Sequence, residues 1–136
     1  MWKTYTNSKY LYSFKYPDDM EVLVCKAELV FPVKIIRGYD PCNSDAGGFF
    51  IQVISNDFAS KLRSLYSKDY IIEEMKIKIG GVDAIKFKLS RKTLEPAPIP
   101  DKTTSILINH NNVWFLINQV DGQDQDQILS TFKFLN

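Results

Sequence analysis

Histidine, cysteine and long apolar runs are scarce in this chain, and each scarcity excludes a class of site. His110 is the only histidine among 136 residues, and the two cysteines, Cys25 and Cys42, do not form a Cys-x-x-Cys pair. A zinc site of ordinary composition is therefore not expected. No apolar segment approaches the roughly 20 residues that a membrane-spanning helix needs. The net charge of +1 gives no general attraction to nucleic acid.

The two cysteines leave two states open. A disulfide between Cys25 and Cys42 would close a loop with a separation of 17 residues (42 − 25). Such a bond would stabilise the fold by roughly 3 kcal/mol. The alternative is a pair of free thiols, and an oxidising compartment is the condition for the bond.

The composition favours one domain built mainly of strands. Hydrophobic residues make up 45% of the chain and aromatic residues 13%, and most of the aromatics alternate with other residues. Residues 3–16 predict an N-terminal β-hairpin with Tyr12, Phe14 and Tyr16 on one face. Residues 49–54 are apolar on both faces, which is typical of a central strand that is covered on both sides.

Two segments have helical spacing. Residues 57–67 predict a helix that is capped by Asn56 or Asp57. Its buried stripe is expected to comprise Phe58, Leu62, Leu65 and Tyr66. A second helix follows residues 122–126 near the end of the chain. This helix and the residues after it are expected to bury Ile128, Leu129, Phe132, Phe134 and Leu135.

The hairpin around Gly80-Gly81 has two candidate registers. A two-residue turn would place Lys76 opposite Ile85 and so put a charge beside a core residue. A three-residue loop over residues 80–82 keeps the apolar side chains on one face, so this register is expected. Its pairs are Ile77–Ile85 and Met75–Phe87 on the buried face, and Glu74–Lys88 and Lys76–Lys86 on the polar face.

The sequence offers no catalytic or metal-binding set. A general base needs a nucleophile and an orienting partner within hydrogen-bond reach, and His110 lies between turn asparagines. Asp121, Asp124 and Asp126 lack the spacing and the late glutamate of a calcium loop, so helix capping is the favoured interpretation. No catalytic residue, metal or cofactor is therefore expected.

Four lysines on two neighbouring strands form the candidate interaction surface. They are Lys76, Lys78, Lys86 and Lys88. The alternative is a solvated sheet face, or lysines that protect an exposed edge from pairing. No aromatic residues are interleaved with them, so stacking on nucleic-acid bases is not supported. The loops 38–48 and 91–104 are the other expected working surfaces, because loops on a rigid sheet often carry function.

The two ends of the chain carry a family pattern. The first segment is Tyr5-Thr6-Asn7 followed by Tyr10-Leu11-Tyr12-Ser13-Phe14-Lys15-Tyr16-Pro17, with Met20 where a tryptophan is typical. The second is Ile128-Leu129-Ser130-Thr131-Phe132-Lys133-Phe134. Together they resemble PsbP-like domains of bacterial envelope proteins. The resemblance implies an α+β fold over residues 1–136, in which an antiparallel sheet of about six strands is flanked by helices on both faces, with an N-terminal β-hairpin.

The resemblance also implies a type of function. It suggests a non-catalytic binding or scaffold domain of an extracytoplasmic, lipoprotein-type bacterial protein, with a signal or anchor upstream of Met1. Relatives include the extrinsic photosystem II subunit and a nuclear-transport protein that binds the Ran GTPase, so the fold leaves the partner open. The chain is expected to bind an unknown protein or envelope partner and to be a monomer or a weak oligomer.

Two alternative functions remain open. One is an enzyme or small-molecule carrier with a pocket between the sheet and the terminal helix, near Tyr39, Asp40 and His110. The other is a cytoplasmic domain that binds a protein partner.

Overall fold

The structure, a computed structural model, describes residues 1–24, 33–36, 49–92, 102–120 and 123–135. These residues form a mixed α+β fold. The strands are β1 (Lys3–Asn7), β2 (Tyr12–Tyr16), β3 (Glu21–Val24), β4 (Val33–Ile36), β5 (Phe49–Ile54), β6 (Tyr70–Ile79), β7 (Val82–Arg91), β8 (Lys102–His110), β9 (Val113–Val120) and β10 (Lys133–Phe134). The helices are α1 (Asn56–Ser67) and α2 (Gln123–Ser130).

The described strands form two antiparallel sheets. The larger sheet has seven strands in the order β3-β4-β5-β9-β8-β7-β6, and the smaller has three in the order β1-β2-β10. The predicted central strand, β5, lies inside the larger sheet with Phe49 and Ile51 buried. The described sheet therefore has seven strands, where about six were expected.

The seven-stranded sheet carries an apolar layer on each face. On one face, here called the α1 face, helix α1 packs over a cluster that includes Leu62, Phe87, Leu107 and Leu116. The other face, here called the hairpin face, is covered by the three-stranded sheet together with α2. Its cluster includes Tyr12, Phe14, Ile106, Ile117, Ile128 and Phe132. The expectation of helices on both faces is thus not confirmed, because a second sheet shares the cover of the hairpin face.

The two ends of the chain meet in the three-stranded sheet. The predicted N-terminal hairpin is confirmed as β1 and β2. Strand β10 pairs with β2, which places Phe134 opposite Tyr12. The Phe132 ring stacks on the Tyr12 ring with centroids 5.2 Å apart. Leu135 is 46% exposed, so its predicted place in the core is wrong.

Helix α1 begins where a serine caps it. The Ser55 Oγ accepts a hydrogen bond from the Phe58 backbone N–H at 3.0 Å, so neither Asn56 nor Asp57 is the cap. The arc that faces the sheet comprises Ala59, Leu62 and the half-buried Tyr66. Phe58 and Leu65 are exposed, although both were predicted to be buried. The prediction followed the large apolar side chains and left out Ala59, a small residue that is buried against the sheet.

The hairpin between β6 and β7 has the register that was not expected. Gly80 and Gly81 form a two-residue turn with φ values of 57° and 83°. Lys76 consequently lies opposite Ile85 and Met75 opposite Lys86, so the four predicted pairs are wrong. The prediction assumed a single buried face. Because this sheet is covered on both faces, β6 directs Ile77 and Ile79 to the hairpin face, and β7 directs Ile85, Phe87 and Leu89 to the α1 face.

Candidate functional site

The observed register divides the four candidate lysines between the two faces of the sheet. Directly opposed residues of an antiparallel pair share a face. Lys76 therefore lies on the α1 face with Ile85, and so does Lys78, whose Nζ is 3.7 Å from the Asp83 Oδ1. Lys86 and Lys88 are on the hairpin face, as their β8 neighbours show. The four do not form one strip, and their use as an interaction surface stays a prediction.

A groove of about 410 Å³ lies at one end of the hairpin face. Its lining comes from β6, β7 and β8 and comprises Ile71, Glu73, Lys88, Leu89, Ser90, Thr103 and Thr104. This surface is called the polar groove below. The covered part of the same face holds Ile79, Ala84 and Ile108, which lie toward the other end of these strands. Leu89 and its partner Thr103 belong to the α1 face, and the rest of the lining is the stretch of the hairpin face where polar side chains replace the apolar core.

The polar groove combines opposite charges, hydroxyl groups and an exposed aliphatic side chain. Glu73 and Lys88 are directly opposed across β6 and β7, and both are exposed. Thr104 is buried in the floor opposite Lys88. Ile71 is 63% exposed at the rim. These groups can hold a partner through ionic, hydrogen-bonding and apolar contacts at the same time.

Beside Thr104, on the same face of the sheet, lies a buried amide. Gln119 is opposite Thr104 on β9 and is buried, and its Nε2 donates to the Asp126 Oδ1 at 3.5 Å. In the described part of the protein, its Oε1 has no hydrogen-bond partner. Burying an unsatisfied amide oxygen costs about 1–3 kcal/mol. Among the described residues, this unsatisfied oxygen therefore lies next to the groove.

The groove is distant from the histidine of the chain. His110, the only imidazole of the chain, is at the other end of β8. It lies roughly 20 Å from Thr104 along the strand, at about 3.4 Å per residue. The His110 ring packs against the Phe134 ring, with centroids 4.2 Å apart. Among the described residues no side-chain hydrogen bond joins Glu73 to Ser90 or Thr104.

Several predicted site residues fall outside the described residues. They are Cys25, Cys42, Tyr39, Asp40 and Asp121, the loop 38–48, and residues 93–101 of the loop 91–104. The disulfide and the two loop surfaces therefore stay predictions. Within the described ranges, no group of three His, Cys, Asp or Glu side chains could hold a metal ion. No helix in those ranges is long and apolar enough to cross a membrane.

The interface between the sheet and the terminal helix, where a pocket was predicted, is apolar in its described part. Ile128 and Leu129 of α2 and Phe132 pack with Ile51 and Ile117 of the sheet, and all five side chains are buried. The described part of that interface is a packed core. The described lining of the polar groove comes from β6, β7 and β8 and not from α2.

Sequence reasoning missed the groove, although one signal was present. Residues 103–105 read Thr-Thr-Ser at the start of a strand that otherwise continues Ile-Leu-Ile. Three polar residues inside a central strand indicate a place where the apolar cover ends on at least one face. The sequence could not show that Glu73 and Lys88 flank the same place, since that follows from the β6–β7 register.

Comparisons with known proteins concern the fold. No family model and no curated protein matches the chain. The solution structure of cyanobacterial PsbP (CyanoP) from Synechocystis sp. PCC 6803 is similar, with a TM-score of 0.59 and 14% identity over 98% of this chain and 92% of that one. A crystal structure from Bacteroides thetaiotaomicron VPI-5482 has a TM-score of 0.50 and 14% identity, and covers 98% of this chain. The chain spans about half of that second protein, 48% of its length.

Proposed function

Starting from the PsbP-like fold of this chain, we propose that it is a non-catalytic domain that binds a protein partner in the bacterial cell envelope. The binding part of the proposal is carried by the polar groove. The envelope location, with a lipoprotein-type anchor, is supported by the resemblance of the two chain ends to envelope PsbP-like domains. A similar fold at low sequence identity does not establish a function, so the binding proposal rests on the groove.

The lining of the groove favours a protein partner. Small-molecule sites are lined predominantly by apolar and aromatic side chains. The lining of the polar groove is instead mostly charged and hydroxyl-bearing, and it comes from three neighbouring strands. Protein interfaces combine an apolar anchor with a polar rim, and complementary charges determine the choice of partner. Ile71 is suited to the first role, and Glu73 and Lys88 to the second.

Site-specific crosslinking tests the binding proposal. A photoreactive amino acid is placed at Ser90 in the groove and, as a matched control, at the exposed Ser60 on α1. In the native host, position 90 should give a discrete protein adduct that position 60 does not give. The purified partner should then bind Lys88→Glu about tenfold more weakly than the unaltered protein, because a complementary charge becomes repulsive.

The control for charge is Lys15→Glu, an exposed position on β2 outside the groove. This variant should bind the partner with unchanged affinity. Equal weakening by both variants would show a non-specific charge effect and contradict a groove site. If the protein turned over a small substrate and one substitution in the groove abolished this activity, the proposal that the domain is non-catalytic would be wrong.

The location has its own test. The full open reading frame is fused at its C-terminus to alkaline phosphatase, which is active only after export. High phosphatase activity is expected. Activity at the level of a cytoplasmic control fusion would contradict the envelope location and would leave the cytoplasmic partner-binding alternative.

A further inference from the structure

The two edges of the seven-stranded sheet differ in length. Strand β3 has four residues at one edge, and β6 has ten at the other. In the described part of the chain no strand pairs with the outer side of β6. A long edge strand presents a row of unpaired N–H and C=O groups, which another strand can pair with.

The tight turn determines which backbone groups of β6 point outward. In a two-residue hairpin the residues that flank the turn exchange both of their backbone hydrogen bonds, and Ile79 and Val82 are that pair here. Hydrogen-bonded pairs then alternate along the strand. The odd-numbered residues of β6 therefore point their N–H and C=O groups at β7. The outward groups belong to Tyr70, Ile72, Glu74, Lys76 and Lys78.

The charges of β6 change sign at Met75, and Glu74 and Lys76 are the one oppositely charged pair placed equally on its two sides. Glu73 and Glu74 precede Met75, and Lys76 and Lys78 follow it. An antiparallel copy of the same strand, centred on Met75, brings Glu74 opposite Lys76 twice. We infer that β6 is an interface for a second copy of this chain, which pairs antiparallel with Met75 opposite Met75 and joins two sheets into one.

Charge repulsion disfavours the neighbouring registers. Opposed residues must lie on the same face of the joined sheet, so the centre of the pairing can move only by whole residues. A centre on Lys76 would oppose Lys76 to itself, and a centre on Glu74 would oppose Glu74 to itself. Like charges directly opposite are destabilising. The Met75 register avoids both contacts, and it also places the exposed Ile71 opposite Ile79 of the second copy.

The contacts that Glu74 already makes are compatible with this pairing. The Arg63 Nε donates to the Glu74 Oε1 at 2.7 Å. A carboxylate has two oxygens and accepts several hydrogen bonds, so the Oε2 can accept from Lys76 of the second copy. Lys76 is exposed on the same face. The inference goes beyond the polar groove, since self-association uses the backbone edge of β6. The two surfaces share Ile71, but Glu74 and Lys76 do not line the groove.

Charge reversal provides the first experiment. Sedimentation velocity is measured over a wide range of protein concentrations for the unaltered chain, Lys76→Glu and Glu74→Lys. The unaltered chain should dimerise weakly, and each variant alone should lose about tenfold in dimer affinity, because two opposed ion pairs become repulsive.

Mixing the two variants should restore the dimer. At positions 74 and 76 one variant then carries two carboxylates and the other carries two ammonium groups, so opposite charges face each other at both pairs. Lys15→Glu is the matched charge control and should dimerise like the unaltered chain.

A cysteine introduced into a chain whose Cys25 and Cys42 are replaced by serine provides the second experiment, which tests the register. The Met75 residues of the two copies form a non-hydrogen-bonded pair at the centre of the interface. Their Cα atoms are expected about 4.5 Å apart, which is within the range for a disulfide. Met75→Cys should therefore form an intermolecular disulfide under mild oxidation, and mass spectrometry should find the two residue-75 peptides joined. Lys78→Cys is the control, because its counterpart on the second copy is distant. A monomer at all concentrations, a dimer that ignores both charge reversals, or equal crosslinking at 75 and 78 would overturn the inference.

Discussion

At the scale of single residues, two adjacent glycines have different surroundings. Gly80 and Gly81 both adopt positive φ angles, which suits a two-residue hairpin turn. A Cβ atom on Gly80 would lie 2.9 Å from the backbone oxygen of Phe132, whereas a Cβ on Gly81 would meet nothing within 4 Å. Gly80 thus has two reasons to be glycine. It permits the turn, and it lets the turn approach the C-terminal segment.

The two glycines predict unequal effects of alanine. Gly81→Ala should lower the free energy of unfolding by about 1 kcal/mol, through backbone strain alone. Gly80→Ala should cost about 2 kcal/mol more, because a backbone atom must also move. Urea unfolding of both variants measures the difference. Equal losses would mean that the turn does not lie against the Phe132 carbonyl in solution.

At the scale of elements, helix α1 is attached to the sheet by a buried polar contact. The Tyr66 hydroxyl lies 2.7 Å from the Ser105 Oγ, and Ser105 donates to the Asn118 Oδ1 at 2.8 Å. Because the Ser105 proton is engaged with Asn118, Tyr66 is the donor in the first contact. Burial raises the pKa of the Tyr66 phenol above its ordinary value of 10.0.

This contact predicts a loss of stability in alkaline solution. The folded protein retains the Tyr66 proton where the unfolded chain loses it, so the stabilisation is complete below pH 10 and declines as the pH rises above that value. Tyr66→Phe should lower the free energy of unfolding by about 1 kcal/mol at neutral pH. The free energy of unfolding of this variant should also decline less steeply above pH 10, as measured by urea titration at each pH. A Tyr66→Phe slope equal to the native one would contradict the role of this hydroxyl.

At the scale of the whole molecule, aromatic rings join the two ends of the chain. Phe132 stacks on Tyr12 and is nearly parallel to Phe14, at interplanar angles of 16° and 10°. Tyr12 also meets Phe115 of the large sheet edge to face. The ends therefore close the hairpin face of the large sheet as one aromatic layer.

Truncating this layer should affect the entire fold. Phe132→Ala should lower the free energy of unfolding by about 3–5 kcal/mol, a large part of the roughly 5–15 kcal/mol typical of a domain. Leu135→Ala is the matched control at an exposed position three residues away, and should change stability by less than about 0.5 kcal/mol. Thermal and urea unfolding measure both variants. A small loss for Phe132→Ala would show that the C-terminal segment is not part of the cooperative unit.

The sequence by itself determined the features that depend on local patterns. Period-two alternation was enough to identify the N-terminal hairpin and the burial of Tyr12 and Phe14. The asparagine pair at 111–112 indicated a tight turn, and both residues have positive φ. Helical spacing located α1, although its cap and part of its buried arc were wrong. These predictions were correct because each feature is determined by residues that are close together in the chain.

Only the tertiary structure decided which layer each strand faces. Alternation shows that β6 and β7 each have an apolar side, but it cannot say that the two sides face different layers. That choice determined the β6–β7 register, separated Lys76 and Lys78 from Lys86 and Lys88, and placed Glu73 opposite Lys88 in the polar groove. The pairing of β10 with β2 was equally out of reach, because it joins residues more than a hundred positions apart. The physical reason is the same in each case. Burial of apolar area is favourable against any apolar layer, so the packing partner of a strand is known only once the layers are assembled.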